Sequence, residues 1–180
     1  GAIQMAPITS FFLAASLASI DLCIIATEDM HDVTVREMTI DVAVSERETQ
    51  TYRGDDPLPP RRIHGILFVA MKHPYQRNIR LEKLRIIAGA MNVHIKGCEK
   101  LTIERCEFAF GGGFRLLHNL YLRRVHGCEI ADCYSHDART GNGFQASFSS
   151  ELTIARNLAI NNRGHGIRVA ACDRARIIDN

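Results

Sequence analysis

No run of about 20 apolar residues, the length a membrane-spanning helix needs, occurs in this chain. Its longest apolar stretch, Phe11–Ala26, is broken by Ser16, Ser19 and Asp21 and has no basic segment before it. It therefore reads neither as a span nor as a signal peptide, but as structure of the domain or its cap. The chain starts at Gly1, as expected of a processed chain or an excerpt. Charge of one sign is scarce: the formal net charge is +2 and the arginines are scattered. No electrostatic footprint of a nucleic-acid binder is present. None of the six cysteines forms a CxxC pair, and no Cys/His cluster has zinc spacing, so no structural metal is expected. Free buried thiols are favoured over disulfides. Helical periodicity is nowhere sustained, there is no Leu-rich consensus, and hairpin turns of the Asn-Gly type are almost absent, Gly141–Gly143 being the exception.

What is present is a repeat. Six short segments share the pattern apolar–x–apolar–x–x–(small, polar or apolar): Val33–Met38, Ile79–Leu84, Leu101–Cys106, Cys128–Cys133, Leu152–Asn157 and Ala175–Asn180. After the first, successive segments are 22 to 27 residues apart. The alternation has period two, so each is a short strand. A repeat of this length built on strands is a solenoid, in which each unit buries its apolar side by stacking on its neighbours. The sixth position holds Met38, Leu84, Cys106, Cys133, Asn157 and Asn180. Equivalent positions stack about 4.8 Å apart. An inward turn there takes stacked amides or small apolar and thiol groups.

One rung can be read directly. Leu101–Arg105 is a second-sheet strand, Cys106 the ladder turn, Glu107–Phe110 a third-sheet strand, and Leu120–Arg123 the first-sheet strand of the next rung. The matching first-sheet strands are Val93–Ile95, Phe144–Ala146 and Ile167–Val169, with Ile66–Phe68 a less regular member. Their inward residues are apolar. Their outward residues form a row of His94, Tyr121, Gln145 and Arg168, with Lys96, Arg123, Ser147 and Ala170 one pleat further on. This strip offers cations and hydrogen-bond donors at a spacing close to that of successive sugar units. A merely solvated face is the competing reading.

The ladder position resembles the internal Asn ladder of the pectate-lyase-like right-handed β-helix superfamily, here with Cys, Leu and Met replacing some of the amides. The resemblance covers roughly residues 20–180. It implies an all-β, right-handed parallel β-helix of roughly six to seven rungs, a single domain over 1–180 that is a piece of a longer solenoid. It also implies a polysaccharide lyase or C5-epimerase acting on an anionic, uronate-containing polysaccharide along the first sheet, outside the cell or at its surface. Such chemistry neutralises the uronate carboxylate so that a base can take the C5 proton. His94, Lys96, Arg123, Gln145 and Arg168 are the candidates for substrate binding. His136, Asp137, Tyr121 and Arg139 are the candidates for catalysis, the segment 134–143 being read as a loop overhanging the first sheet. The other readings are a non-catalytic shaft, adhesin or tailspike-like module and a glycoside hydrolase. Hydrolysis usually needs two carboxyl groups, and the first-sheet row has none. The Asp-Pro-His motif of alginate epimerases is also missing.

Two loops remain. The long one at about 45–64 is rich in Pro and Gly, and its Asp55 and Asp56 make Ca²⁺ a possible cofactor. Asn161–Gly166 reads as a tight rung corner, with His165 beside the strip. The chain ends at Asn180 on the ladder position, so further rungs or a partner chain are expected to cover the open edge.

Overall fold

The computed structural model describes residues 2–5, 11–14, 23–27, 30–42, 64–73, 75–112 and 117–180. Among them the chain is all β, in fifteen strands. Alternating apolar residues along short segments leave one side of each strand to be buried, and parallel stacking of the repeats buries it.

Three parallel sheets result. The first stacks β3 (Cys23–Thr27), β5 (Ile66–Val69), the start of β7 (Val93–Glu104), the start of β9 (Leu120–Ala131), β11 (Phe144–Ser147) and β14 (Ile167–Ala170). The second stacks β4 (His31–Asp41), β6 (Gln76–Ile87), the later parts of β7 and β9, β12 (Ser150–Ala155) and β15 (Asp173–Ile178). The third stacks the end of β6 on β8 (Glu107–Ala109), β10 (Tyr134–His136) and β13 (Leu158–Ile160). The solenoid makes about four turns. This is fewer than the six to seven rungs read from the repeats. The repeat count includes the first rung, which leads into 43–63 outside the described residues, and the last, which lacks a third-sheet strand.

Two strands run the other way. β1 (Ala2–Met5) pairs antiparallel with β4, and β2 (Phe11–Ala14) pairs antiparallel with β3. They cover the edge of the first rung, as a cap must if the edge is not to template another chain.

The core lies inside the coil. Ile66, Val93, Leu120 and Phe144 stack in one inward row of the first sheet, and Phe68, Ile95, Leu122 and Ala146 in the other, all buried. Corners between the second and third sheets are made by Glu37, Lys83, Arg105, Asp132, Arg156 and Asp179, each with φ near +55°. Every one directly precedes a ladder residue. An L-residue in this region costs about 1–2 kcal/mol, so neighbouring groups have to hold the corner in place. The ladder supplies that hold: Cys106 N–H donates to Cys133 Sγ (3.4 Å), Cys133 N–H to Asn157 Oδ1 (2.9 Å), and Asn157 N–H to Asn180 Oδ1 (2.9 Å).

A second polar stack, not anticipated from the sequence, holds the corner between the third sheet and the next first-sheet strand. Asn92 Nδ2 donates to Asn119 Oδ1 at 3.1 Å, and Asn119 Nδ2 to Asn162 Oδ1 at 3.3 Å. Asn92 and Asn119 each directly precede a first-sheet strand, which is the sequence signal that marks them.

Candidate functional site

The two outward rows of the first sheet are in the expected register. Leu67, His94, Tyr121, Gln145 and Arg168 are successive partners, and so are Val69, Lys96, Arg123, Ser147 and Ala170. The face is not open throughout. Gln145 is only 2% exposed and Ser147 7%. Ala90, Met91 and Leu117, from the corner segments preceding the strands, form a small apolar cluster against which Tyr121 packs. The strip is therefore walled on the side where each first-sheet strand begins.

Four aromatic rings line up along it. His64 lies edge-on to His94 at 5.5 Å, His94 is 5.1 Å from Tyr121, and Tyr121 is 5.5 Å from His118. His118 is not among the residues expected from the sequence. It sits in the corner before β9 instead of in a strand row, so a search of alternating positions passes over it. Its Nδ1 accepts the backbone N–H of Asn142 at 2.9 Å. Asn142 in turn donates from Nδ2 to Gln145 Oε1 (2.7 Å), which also accepts from Arg168 Nη1 (3.2 Å), while Gln145 Nε2 donates to Ser147 Oγ (2.8 Å). Burial, with the charges of His64, Lys96 and Arg123 adding to it, lowers His94 to a pKa of about 4. Burial, with Arg168, lowers His118 to about 4 as well. Both imidazoles are neutral at pH 7.

Charge is divided among the faces. The ion pairs between described residues lie on the second and third sheets and their corners: Arg80 with Glu82 and Glu104, Arg85 with Glu107, Asp132 with Arg156, Glu151 with Arg174. Lys96, Arg123 and Arg168 take part in none of them. Lys96 Nζ lies against the Met71 thioether (2.8 Å), and the Arg123 guanidinium lies over the Phe148 ring, 5.2 Å from its centroid. No Asp or Glu stands in either outward row.

The expected catalytic group is not brought together. Tyr134–His136 is a third-sheet strand and not part of a loop, because the chain must cross the third sheet after the ladder turn at Cys133. His136 stacks on Tyr134 (4.3 Å), and its Nδ1 and Nε2 face Asp137 Oδ2 (2.6 Å) and Glu107 Oε1 (3.3 Å). Asp137 is also bonded by Asn161. This corrects the placement of His136 and Asp137 beside Tyr121: they tie neighbouring rungs on another face. Arg139 lies in the next corner, its N–H on Gly111 O (2.7 Å). The far half of the segment does reach the strip, through Asn142. His165 N–H donates to Asn142 Oδ1 (2.8 Å).

Cys98, Cys106, Cys128, Cys133 and Cys172 carry free thiols. Burial pushes Cys98 up to about 12 and Cys128 well above the usual thiol range, which suits packing and not nucleophilic attack. Among the described residues no three His, Cys, Asp or Glu side chains are grouped to hold a metal ion. Asp55 and Asp56 lie outside the described residues. Among the described residues no helix is long and apolar enough to cross a membrane.

Compared with curated proteins and with solved structures, the chain matches none. Residues 68–180 match the family described as right handed beta helix region. With its three stacked parallel sheets and internal ladder, the chain belongs to the right-handed β-helix family.

Proposed function

We propose that this protein engages an anionic, uronate-containing polysaccharide along its first sheet and acts on it as a lyase or C5-epimerase. One observation carries the reading. The carboxylates stand on the second and third sheets and their corners, where they pair with neighbouring cations, whereas neither outward row of the first sheet holds a carboxylate, so Lys96, Arg123 and Arg168 have no carboxylate partner among the described residues. Holding cations together without counter-ions costs electrostatic energy, and an anionic ligand recovers it. Arg123 suits a carboxylate because its planar guanidinium makes paired hydrogen bonds.

The chemistry rests on the same arrangement. Once a cation neutralises the carboxylate, the C5 proton becomes acidic enough to be taken by a nearby base. Tyr121 and His94 stand beside Lys96 and Arg123 in adjacent rungs, and we assign them to take it. His136, Asp137 and Arg139 have no part in this assignment. Two-carboxylate hydrolysis has no carboxyl pair on the strip to work with.

The test is incubation with polygalacturonate and alginate. A lyase yields an unsaturated product that absorbs in the ultraviolet; an epimerase exchanges the C5 proton with deuterated solvent. Either signal, lost in Tyr121→Phe or His94→Gln, supports the reading. Binding without either signal leaves a carbohydrate-binding module and rejects catalysis.

A further inference from the structure

A backbone N–H can only donate, so the 2.9 Å bond from Asn142 to His118 Nδ1 fixes that nitrogen as an acceptor. In the neutral ring the proton must then sit on Nε2. The bond is built in by the chain around it. Gly141 lies so close to the preceding rung that a Cβ there would run into Leu117 O and His118 Nδ1. The glycine lets segment 141–143 settle onto the imidazole, and Asn142 is held in turn by Gln145 and by the N–H of His165. His118 is only 7% exposed, its ring packs beside Tyr121, and it makes no hydrogen bond through Nε2 among the described residues.

We propose that His118 is a tautomer-locked hydrogen-bond donor of the binding strip, presenting Nε2–H to a carboxylate or hydroxyl oxygen of the saccharide unit that lies over Tyr121. The assignment rests on the polysaccharide reading above and divides the labour within it. A ring whose Nδ1 is occupied and whose Nε2 carries the proton cannot take a proton from substrate. His118 therefore binds and orients, and proton abstraction is left to Tyr121 or His94. It is a binding residue on the wall where the first-sheet strands begin, and it complements the cations. A cation attracts any anion, whereas a single fixed donor accepts only a unit whose oxygen is in the right place.

The experiment is imidazole ¹⁵N nuclear magnetic resonance of the wild-type protein at pH 7, alone and with tetragalacturonate, alongside affinities for His118→Phe, His118→Gln and Gly141→Ala. The expected spectrum shows unprotonated Nδ1 and protonated Nε2, with Nε2 shifting on addition of the oligosaccharide. His118→Phe is expected to weaken binding about tenfold or more, since a hydrogen bond to a charged group is lost. His118→Gln, which keeps a donor, recovers part of it, and Gly141→Ala mixes the tautomers. If tetragalacturonate moves Tyr121 and Arg123 but leaves the His118 ring untouched, or if Nδ1 carries the proton, the assignment to His118 is overturned while the strip survives. If no resonance on the first sheet moves and no binding is measured, the polysaccharide reading itself fails and takes this assignment with it.

Discussion

Arg123 lies over the ring of Phe148, 5.2 Å from its centroid, and its Nε is buried without a hydrogen-bond partner. Phe148 is itself 56% exposed and stands at a corner with φ of +52°. The unpartnered Nε offsets what the guanidinium gains by lying over the Phe148 ring. Arg123→Met should therefore leave the urea midpoint unchanged or raise it slightly, while weakening binding of an oligouronate about tenfold or more. Equilibrium unfolding and calorimetric titration of the same sample separate the two effects. A variant that loses stability and keeps its affinity would make Arg123 a structural residue.

Gln76 makes the opposite point inside the coil. Its side chain is fully buried, and neither Oε1 nor Nε2 has a partner. It faces Cys98 in the next rung. An unpaired buried amide is expensive, so Gln76→Met, close in shape and free of polar demand, should stabilise the protein by about 1–2 kcal/mol. Destabilisation on urea unfolding would mean that the amide is satisfied, by water or otherwise.

Asn157 should behave in the reverse sense. Its Oδ1 accepts Cys133 N–H, and its Nδ2 donates to Ile130 O (3.0 Å) and to Asn180 Oδ1 (2.9 Å). Asn157→Ala strands those partners in a buried corner and should cost about 2–4 kcal/mol. A loss below about 1 kcal/mol would show that the ladder bonds do not hold the rungs.

The two lowered histidines make stability depend on pH. His94 and His118 have folded pKa values of about 4, below the usual 6.5. Between those values the unfolded chain binds protons that the folded one refuses, so their contribution is intact above about pH 6.5 and is lost as pH falls toward 4. The urea midpoint should fall across this window. The fall should be smaller in His94→Gln and His118→Gln, by an amount on the order of 1 kcal/mol for each after solvent screening. Equal slopes in variants and wild type would place the acid sensitivity elsewhere.

Much of this architecture is legible in the residues. Leu101–Cys106, Cys128–Cys133 and Leu152–Asn157 announce both the strand and the ladder turn, because strand alternation and stacking of equivalent positions leave the same mark in every rung. The strip is legible for the same reason: His94, Tyr121, Gln145 and Arg168 are successive partners of one ladder. His118 and Asn142 are not, because corners have no fixed period and their side chains arrive by way of loop geometry. The misplacement of His136 has the same root. Read as a loop, Tyr134–His136 overhangs the first sheet, but its rung equivalent, Glu107–Ala109, already marks it as third-sheet strand. Corner handedness is legible only in part: Asn161 fits the left-handed region, yet Lys83, Arg105 and Arg156 occupy it too, since stacking imposes the turn whatever the residue.

The proposed function stands on the unpaired cations of the first sheet binding an anionic polysaccharide. Calorimetric titration of tetragalacturonate into wild type and into Lys96→Gln/Arg123→Gln/Arg168→Gln, at low and at raised salt, addresses it directly. The wild type should bind, more weakly as salt rises, and the triple variant should not, with folding retained because none of the three cations is paired with a carboxylate among the described residues. Equal affinity in the triple variant, or no binding to the wild type at low salt, would contradict it.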